Sequence, residues 1–281
     1  MLVTFDGVRG SIPCAERSFM RYGGNTSCVH VQAGSTEILV DAGTGIRRAG
    51  ERLQRRGVKT FHLLLSHTHW DHLCGLPFFA PVYDASCDVS IHAGRHEPGV
   101  SLREALAAHI APPVFPIDLG DMPGLKRLTD VEASGTFALG SARVTTRPLR
   151  HPGGATGYRI DHGGASVCYV TDTEHDPETL DARILELIAG TDLLIYDSTY
   201  LDEEMQGKRG WGHSTWQEGV RLCLAAGAKS LAIFHHDPDR DDHAMDRIER
   251  AARQAWRSAF VAREGPSLSL DSAPTARDRT R

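Results

Sequence analysis

Four side chains that commonly bind metal ions lie within six residues of one another, at His67, His69, Asp71 and His72. They directly follow the apolar run 61–65. Histidine nitrogen and carboxylate oxygen are the usual protein ligands of zinc-like ions. A polar loop with incidental histidines is the simpler interpretation, but the density of ligands argues against it. The segment predicts half of a metal site and leaves open which bond the metal helps to break.

Three later segments each place a further potential ligand after an apolar run. These ligands are His151, Asp172 and the adjacent pair His235 and His236. Each alone is a weak signal, because a histidine or aspartate at a strand end is more often a hydrogen-bonded structural residue. Strand ends that meet at one edge of a sheet are, however, where open α/β folds commonly build sites. Together with the first cluster, their order and spacing predict one composite metal site.

The elements that would position these ligands are short strands among fewer helices. Apolar runs bounded by glycine, aspartate or proline predict strands at 28–31, 37–40, 61–65, 89–92, 142–147, 158–160, 166–170, 192–196 and 230–234. Capped or amphipathic stretches predict helices at 44–56, 102–109, 176–189, 216–226 and 242–259. This alternation predicts layers of helix on sheet in one domain over residues 1–262. The polar segment 263–281 predicts a mobile tail.

Composition narrows the class of partner. The chain has 281 residues and a net charge of −5, with no basic block, so attraction to a phosphate backbone is weak and stable nucleic-acid binding is not expected. The six cysteines are scattered without a C-x-x-C pair, which indicates reduced cysteines. Neither a signal peptide nor an apolar run long enough for a membrane helix is apparent, so we expect a cytoplasmic protein. A homodimer is compatible with the sequence.

On these ligands and their order, the chain resembles the metallo-β-lactamase-fold hydrolases from about residue 6 to residue 259. The resemblance implies an α/β fold, an αββα sandwich of two mixed β-sheets flanked by helices, with two divalent metal ions at one edge. Zinc is the default metal, with manganese or iron as alternatives. The resemblance implies that one ion is bound by His67, His69 and His151, the other by Asp71, His72 and His235, and that both share Asp172.

Segments of the second half resemble the ribonuclease Z and cyclic-phosphodiesterase group. They are Asp197-Ser198-Thr199-Tyr200, then Glu204, then Gly212-His213-Ser214-Thr215 and Phe234-His235. The resemblance implies that His213 joins Asp71 in the catalytic set and donates a proton or hydrogen bond to the phosphoryl or leaving oxygen. Asp197 or Glu204 would orient the His213 imidazole. Without the family pattern, His213 reads as a residue of a helix-capping loop.

Three further positions are assigned beside the metals or on the substrate side. Asp41 ends a strand and is expected to hydrogen-bond the 66–72 loop rather than bind metal. Trp211 would stack on a nucleobase, with core packing as the alternative for such an aromatic. His236 is an alternative ligand to His235, although His235 directly follows the strand and is preferred. The long Gly/Pro-rich arm usual in ribonuclease Z is not evident.

These observations favour hydrolysis of small cyclic nucleotide-like phosphodiesters by metal-bound hydroxide. The open alternatives are a lactonase or other acyl-type metallohydrolase, a tRNA-processing endoribonuclease, and a non-catalytic metal-binding or sensory module. The first cluster cannot separate phosphorus from carbon chemistry, because a metal pair polarises either centre. That choice rests on His213, some 140 residues downstream of the first cluster.

Overall fold

The computed structural model describes residues 1–94 and 100–270 as two facing seven-stranded sheets. The first sheet has the order β14-β1-β2-β3-β4-β5-β6 and the second β13-β12-β11-β10-β9-β8-β7. The strands are β1 (Leu2–Gly7), β2 (Cys28–Ala33), β3 (Thr36–Val40), β4 (Thr60–Leu65), β5 (Asp88–Gly94), β6 (Leu125–Val131), β7 (Thr136–Leu139), β8 (Ala142–Leu149), β9 (Ala155–His162), β10 (Ala165–Val170), β11 (Leu193–Asp197), β12 (Leu231–Phe234), β13 (Ala259–Val261) and β14 (Ser267–Ser269).

Helices cover the outer face of each sheet. They are α1 (Ile46–Arg55), α2 (Trp70–Leu73), α3 (Leu102–His109), α4 (Ala182–Ile188), α5 (Trp216–Ala226) and α6 (Asp242–Ala255). The apolar faces of α1 and α3 pack on the first sheet, and those of α4, α5 and α6 on the second. A third apolar cluster fills the space between the sheets, with members such as Val31 and Ile195. The predicted αββα sandwich is therefore confirmed.

Parallel pairing brings the ends of the central strands to one edge of the sandwich. Strands β3, β4 and β5 run parallel in the first sheet, as do β10, β11 and β12 in the second. The first cluster of ligands follows β4, Asp172 follows β10 and His235 follows β12. Since both sets of carboxyl ends open at the same edge, the fold itself gathers side chains that are far apart in sequence.

Several predicted boundaries differ from those observed. The helix expected from residue 176 begins at Ala182, where the Asp181 side chain accepts a hydrogen bond from the Arg183 amide. The helix expected to reach 259 ends at Ala255, and residue 259 begins β13. The strand β6 was not predicted, because at this sheet edge polar residues interrupt the apolar run that marks a buried strand, and β7 was not predicted because it is only four residues long.

The predicted mobile tail is wrong for residues 263–270. Within this segment β14 pairs antiparallel with β1, and the Met1 amino group lies 3.2 Å from the Leu270 carbonyl oxygen. Three residues are too short for a periodic apolar pattern, which is why the sequence did not indicate this strand. The remaining residues of that segment, 271–281, lie outside the described part of the chain. No helix among the described residues combines the length and apolarity needed to span a bilayer.

Candidate metal centre

Three residues of the site adopt left-handed backbone conformations just after a strand. The φ angles are 62° at Asp41, 57° at Asp172 and 58° at His235. L-amino acids other than glycine rarely adopt this region, because Cβ crowds the neighbouring carbonyl. Such strain concentrates at functional sites, where the surrounding structure fixes the conformation. These residues lie one or two positions after the strands β3, β10 and β12, so the strained backbone coincides with the edge where the predicted ligands meet.

The predicted ligands form two groups on either side of Asp172. Ligand atoms of His67, His69 and His151 lie within 4.8 Å of one another, and so do those of Asp71, His72 and His235. The Asp172 Oδ1 atom lies 3.8 Å from His67 Nε2 and 3.7 Å from His151 Nε2. Its Oδ2 atom lies 3.3 Å from both His72 Nε2 and His235 Nε2. Each carboxylate oxygen of Asp172 thus faces a different group, as expected of a residue between two cations.

The unpaired atoms of this cluster test whether cations would fit. The Nε2 atoms of His67, His72 and His235 are buried and have no hydrogen-bond partner. A buried polar atom without a partner is costly, so such atoms in a folded protein call for a missing ligand. Burial opposes the charge of Asp172, but His235, His72 and His67 hold its pKa well below the usual range. Neutral imidazoles and ionised carboxylates are the donor set that divalent ions require.

Asp41 orients two of the predicted ligands that follow β4. Its Oδ2 atom lies 2.7 Å from His72 Nδ1, and its Oδ1 atom accepts from the Ser66 amide at 2.7 Å. The Ser66 hydroxyl donates to Asp41 at 2.8 Å and lies 3.0 Å from His67 Nδ1. Tyr169 donates a further hydrogen bond of 2.6 Å to the same carboxylate. The expected contacts between Asp41 and the loop are therefore present, and they direct the Nε2 atoms of both histidines towards the cluster.

His213 lies beside the cluster, with its ring stacked on that of His235 at a centroid distance of 5.0 Å. Its Nδ1 atom is 2.9 Å from Asp197 Oδ2. Burial disfavours the protonated ring, but the charge and hydrogen bond of Asp197 outweigh it and raise the pKa of His213 to about 9. The helix-capping role belongs instead to Thr215, whose hydroxyl accepts from the Glu218 amide at the start of α5.

Two of the assigned neighbours have other roles. Glu204 accepts a hydrogen bond from the Leu201 amide and forms an ion pair with Arg240, so of the two carboxylates proposed to orient His213 only Asp197 does so. His236 lies 3.0 Å from the Ala262 carbonyl through Nε2, within the interior of the protein. Burial lowers the pKa of His236 to about 3. The ring of His236 belongs to none of the candidate ligand groups among the described residues, and His235 is the member of the pair that faces the cluster.

Trp211 is exposed at the rim and Trp216 is buried on α5. The Trp211 side chain retains 60% of its accessible surface, and Lys208 Nζ lies 4.7 Å from the centre of its ring. The Lys208 ammonium also lies 5.1 Å from the ring of Tyr200, whose edge approaches His213. The core-packing alternative therefore applies to Trp216, while Trp211 remains open to a ligand at the rim.

Sequence reasoning missed several residues that hold the site together. The Thr199 hydroxyl links Asp197 Oδ1 at 2.8 Å to His235 Nδ1 at 2.9 Å. The Ser11 amide donates to Asp71 at 2.7 Å. A Cβ on Gly10 would lie 2.3 Å from the ring of His235, so only glycine fits there. Thr199 lies in the motif Asp197-Ser198-Thr199-Tyr200, but its spacing does not distinguish a hydroxyl that contacts a predicted metal ligand from one that caps a turn.

Comparison with known proteins gives a consistent similarity. A family described as a beta-lactamase superfamily domain matches residues 36–236. A ribonuclease Z of Haloarcula marismortui is 23% identical over 320 residues, which cover 94% of this chain and 94% of the relative. The metallo-beta-lactamase fold protein YhfI from Bacillus subtilis superposes with a TM-score of 0.73 at 20% identity, covering 95% of this chain and 98% of the other. A diphosphatase from the PhnP family gives 0.69 at 20% identity, covering 97% and 98%.

Proposed function

Since the chain belongs to the beta-lactamase superfamily and is a metal-dependent hydrolase, we propose that it hydrolyses small phosphodiesters, with cyclic nucleotide-like compounds ahead of tRNA. The observation that carries this proposal is the pairing of His213 with Asp197 beside the ligand cluster. Hydrolysis of a phosphodiester expels an alkoxide, which benefits from a positioned acid. The relatives named ribonuclease Z and the PhnP-family diphosphatase support phosphorus rather than carbon as the reacting centre.

The residues of the site have different roles in the proposed reaction. Asp197 occupies the Nδ1 atom of His213, which leaves Nε2 as the ring's second donor. Asp197 raises the pKa of His213, which favours the protonated ring, and this ring can donate a proton to the leaving oxygen. Asp197 stabilises the imidazolium before transfer and fixes the orientation of the ring. We assign Asp71, together with the six other predicted ligands, to two divalent ions, zinc being the first choice with manganese or iron as alternatives.

Bound divalent ions would supply positive charge to the phosphoryl oxygens and lower the pKa of the attacking water. The protein adds to that charge at the rim, because Lys208 lies between the rings of Tyr200 and Trp211. A base stacked on the exposed Trp211 would bring its phosphate towards this ammonium group. An exposed aromatic ring next to a cation and a partly buried acid suits a nucleotide better than a neutral lactone, which carries no phosphate.

Size and charge favour a small substrate over tRNA. The alignment with the Haloarcula relative runs over 320 positions although this chain has 281 residues, so the relative contains segments that have no counterpart here. The net charge of −5 also gives little general attraction to RNA. Processing of tRNA nevertheless stays the second candidate function, because the similar curated relatives are named ribonuclease Z.

The proposal is tested with a substrate panel. Bis-p-nitrophenyl phosphate, cyclic nucleotides, a lactone and a tRNA precursor are compared on metal-loaded protein, and we expect the cyclic nucleotides to give the highest kcat/KM. His213→Ala should lower kcat on cyclic nucleotides by about 100-fold or more. His243→Ala, which removes an exposed histidine of α6, is the matched control and should retain full activity. Preferred turnover of the lactone, or full activity in His213→Ala, would contradict the proposal.

Metal content is tested separately. Elemental analysis of protein purified without added metal should find about two divalent ions per chain, and a chelator should abolish hydrolysis. Adding back zinc, manganese or ferrous iron in turn identifies the ion that restores the highest rate. A chelated sample with undiminished activity would contradict both the metal assignment and the function built on it.

A further inference from the structure

The residues Gly210 to His213, here called the histidine loop, are attached to the rest of the site by a carboxylate that the sequence did not point to. Glu174 Oε2 accepts hydrogen bonds from the Gly210 amide at 2.8 Å and from the Gly212 amide at 2.9 Å. Both glycines have left-handed φ angles, 84° and 81°. This conformation turns two amides that lie two residues apart onto the same oxygen atom.

The backbone of Glu174 is attached to the other side of the cluster. Its amide donates to the Arg150 carbonyl at 2.7 Å, directly before the predicted ligand His151. The His151 Nδ1 atom in turn lies 2.8 Å from the Gly212 carbonyl oxygen, and a Cβ on Gly212 would lie only 2.3 Å from that nitrogen. One residue therefore connects the segment that carries His151 with the loop that carries His213.

We propose that Glu174 is a positioning residue for hydrolysis, because its carboxylate holds the histidine loop in place and thereby sets the distance between His213 and the reacting phosphate. This inference rests on the proposed role of His213 as the acid. Asp197 fixes the orientation of the His213 ring but does not contact the backbone of the loop, which His151 contacts only at the Gly212 carbonyl oxygen. The two amide hydrogen bonds of Glu174 supply that second constraint. Misplacement of a catalytic group by about 1 Å can lower a rate by roughly 100-fold.

The side chain of Glu174 is suited to this role because it is partly shielded and accepts from backbone only. The loop between its two amides exposes Trp211, and the residues just before it, Lys208 and Arg209, are accessible to a protease. Removal of the carboxylate would leave both amides without their acceptor. A glutamine would keep one oxygen in the same place, so the amide side chain should preserve the anchor while removing the charge.

Limited proteolysis tests, independently of activity, whether the Glu174 carboxylate holds the histidine loop in place. In Glu174→Ala, trypsin should cleave after Lys208 and Arg209 several-fold faster than in the unmodified protein. Glu174→Gln should be cleaved at close to the unmodified rate. Glu178→Ala, which removes an exposed carboxylate four residues further on, is the matched control and should behave like the unmodified protein. Equal cleavage rates in Glu174→Ala and the unmodified protein would overturn the proposal.

Leaving-group dependence measures the catalytic consequence. Glu174→Ala should lower kcat by about 10- to 100-fold on 2′,3′-cyclic AMP, whose alkoxide leaving group needs a proton, and by much less on bis-p-nitrophenyl phosphate. Metal content should stay unchanged, and Glu174→Gln should restore most of the rate. An equal loss on both substrates, or a loss not restored by glutamine, would overturn the positioning role. If the unmodified protein hydrolyses no phosphodiester, the proposed function fails, and the trypsin comparison still decides whether Glu174 anchors the loop.

Discussion

Asp41 and Asp197 occupy corresponding places in the two sheets, and each holds one histidine of the site through Nδ1. Asp41 follows β3 and contacts His72, whereas Asp197 ends β11 and contacts His213. Both carboxylates are completely buried. The same kind of group thus has two roles: one carboxylate orients a predicted metal ligand, and the other raises the pKa of the proposed acid.

Each of these carboxylates also reaches a second histidine through a hydroxyl group. Ser66 connects the first carboxylate to His67, and Thr199 connects the second to His235. In both cases the hydroxyl donates to the carboxylate and accepts from the histidine Nδ1–H. Four histidines therefore have their Nδ1 atoms occupied, so their Nε2 atoms remain free to face the centre of the site.

Replacement of Asp197 by asparagine should alter the pH dependence of hydrolysis. The carboxylate raises the pKa of His213 to about 9, so its loss lowers that pKa and the acid form disappears at a lower pH. We expect the alkaline limb of kcat against pH for an alkoxide-releasing diester to move down by at least one pH unit. Metal content, measured on the same samples, should not change. An unmoved limb would show that another group supplies the proton.

Replacement of Asp41 by asparagine should weaken metal binding rather than proton transfer. Loss of an outer partner of a ligand typically lowers metal affinity by about 10- to 100-fold. Competition with a chromogenic chelator measures this affinity. Ser66→Ala should give a smaller loss, because it removes the hydroxyl between Asp41 and His67 but leaves the contact of Asp41 with His72. If Asp41→Asn binds metal as tightly as the unmodified protein, the orienting role is wrong.

Substitutions at Gly212 and Gly210 test whether the histidine loop must approach His151 closely, because the two glycines share a backbone conformation but differ in their surroundings. Both have left-handed backbones, so alanine at either position costs about 1 kcal/mol of stability. A Cβ at Gly210 meets nothing within 4 Å, whereas one at Gly212 meets the His151 ring. Gly212→Ala should therefore lose most activity, and Gly210→Ala should keep most of it. Thermal melting measures the backbone strain that both variants share, and kcat on one diester measures the effect of the clash with His151 that is specific to Gly212→Ala.

His92 should make the fold less stable in mild acid. Burial lowers the pKa of His92 to about 4, below the value of about 6.5 expected in the unfolded chain. Below pH 6.5 the unfolded chain binds a proton that the fold does not, so stability is present above that pH and falls towards pH 4. Allowing for partial exposure, the loss between pH 7 and pH 5 is about 1 kcal/mol.

The measurement is urea unfolding at both pH values in the unmodified protein and in His92→Phe. Phenylalanine can keep the stacked contact with Phe137 but does not titrate. The substituted protein should lose about 1 kcal/mol less on acidification. Since the metal site is the same in both proteins, its own pH dependence cancels in the comparison. An identical acid response would assign the effect to other groups.

The parts of this site that could be predicted are those whose residue types have few other uses. Three histidines and an aspartate within one loop have little structural purpose, and these are His67, His69, Asp71 and His72. The αββα fold was predicted from the family resemblance that these residues support. Contacts between segments that are far apart in sequence were not predictable. Glu204 lies near the histidine loop in sequence but does not orient His213, whereas Glu174 lies much further away in sequence and accepts hydrogen bonds from two amides of that loop. Only the folded chain shows which carboxylate meets which amide.

The left-handed residues that carry the site have a consequence for protein engineering. Glycine adopts the backbone of Asp172 or His235 without the crowding of Cβ, an advantage of about 1 kcal/mol for each position. A library screened only for heat resistance in the absence of metal would therefore be expected to enrich glycine there and to lose hydrolysis. Thermostable variants of this protein should be sought with a screen for turnover applied in every round.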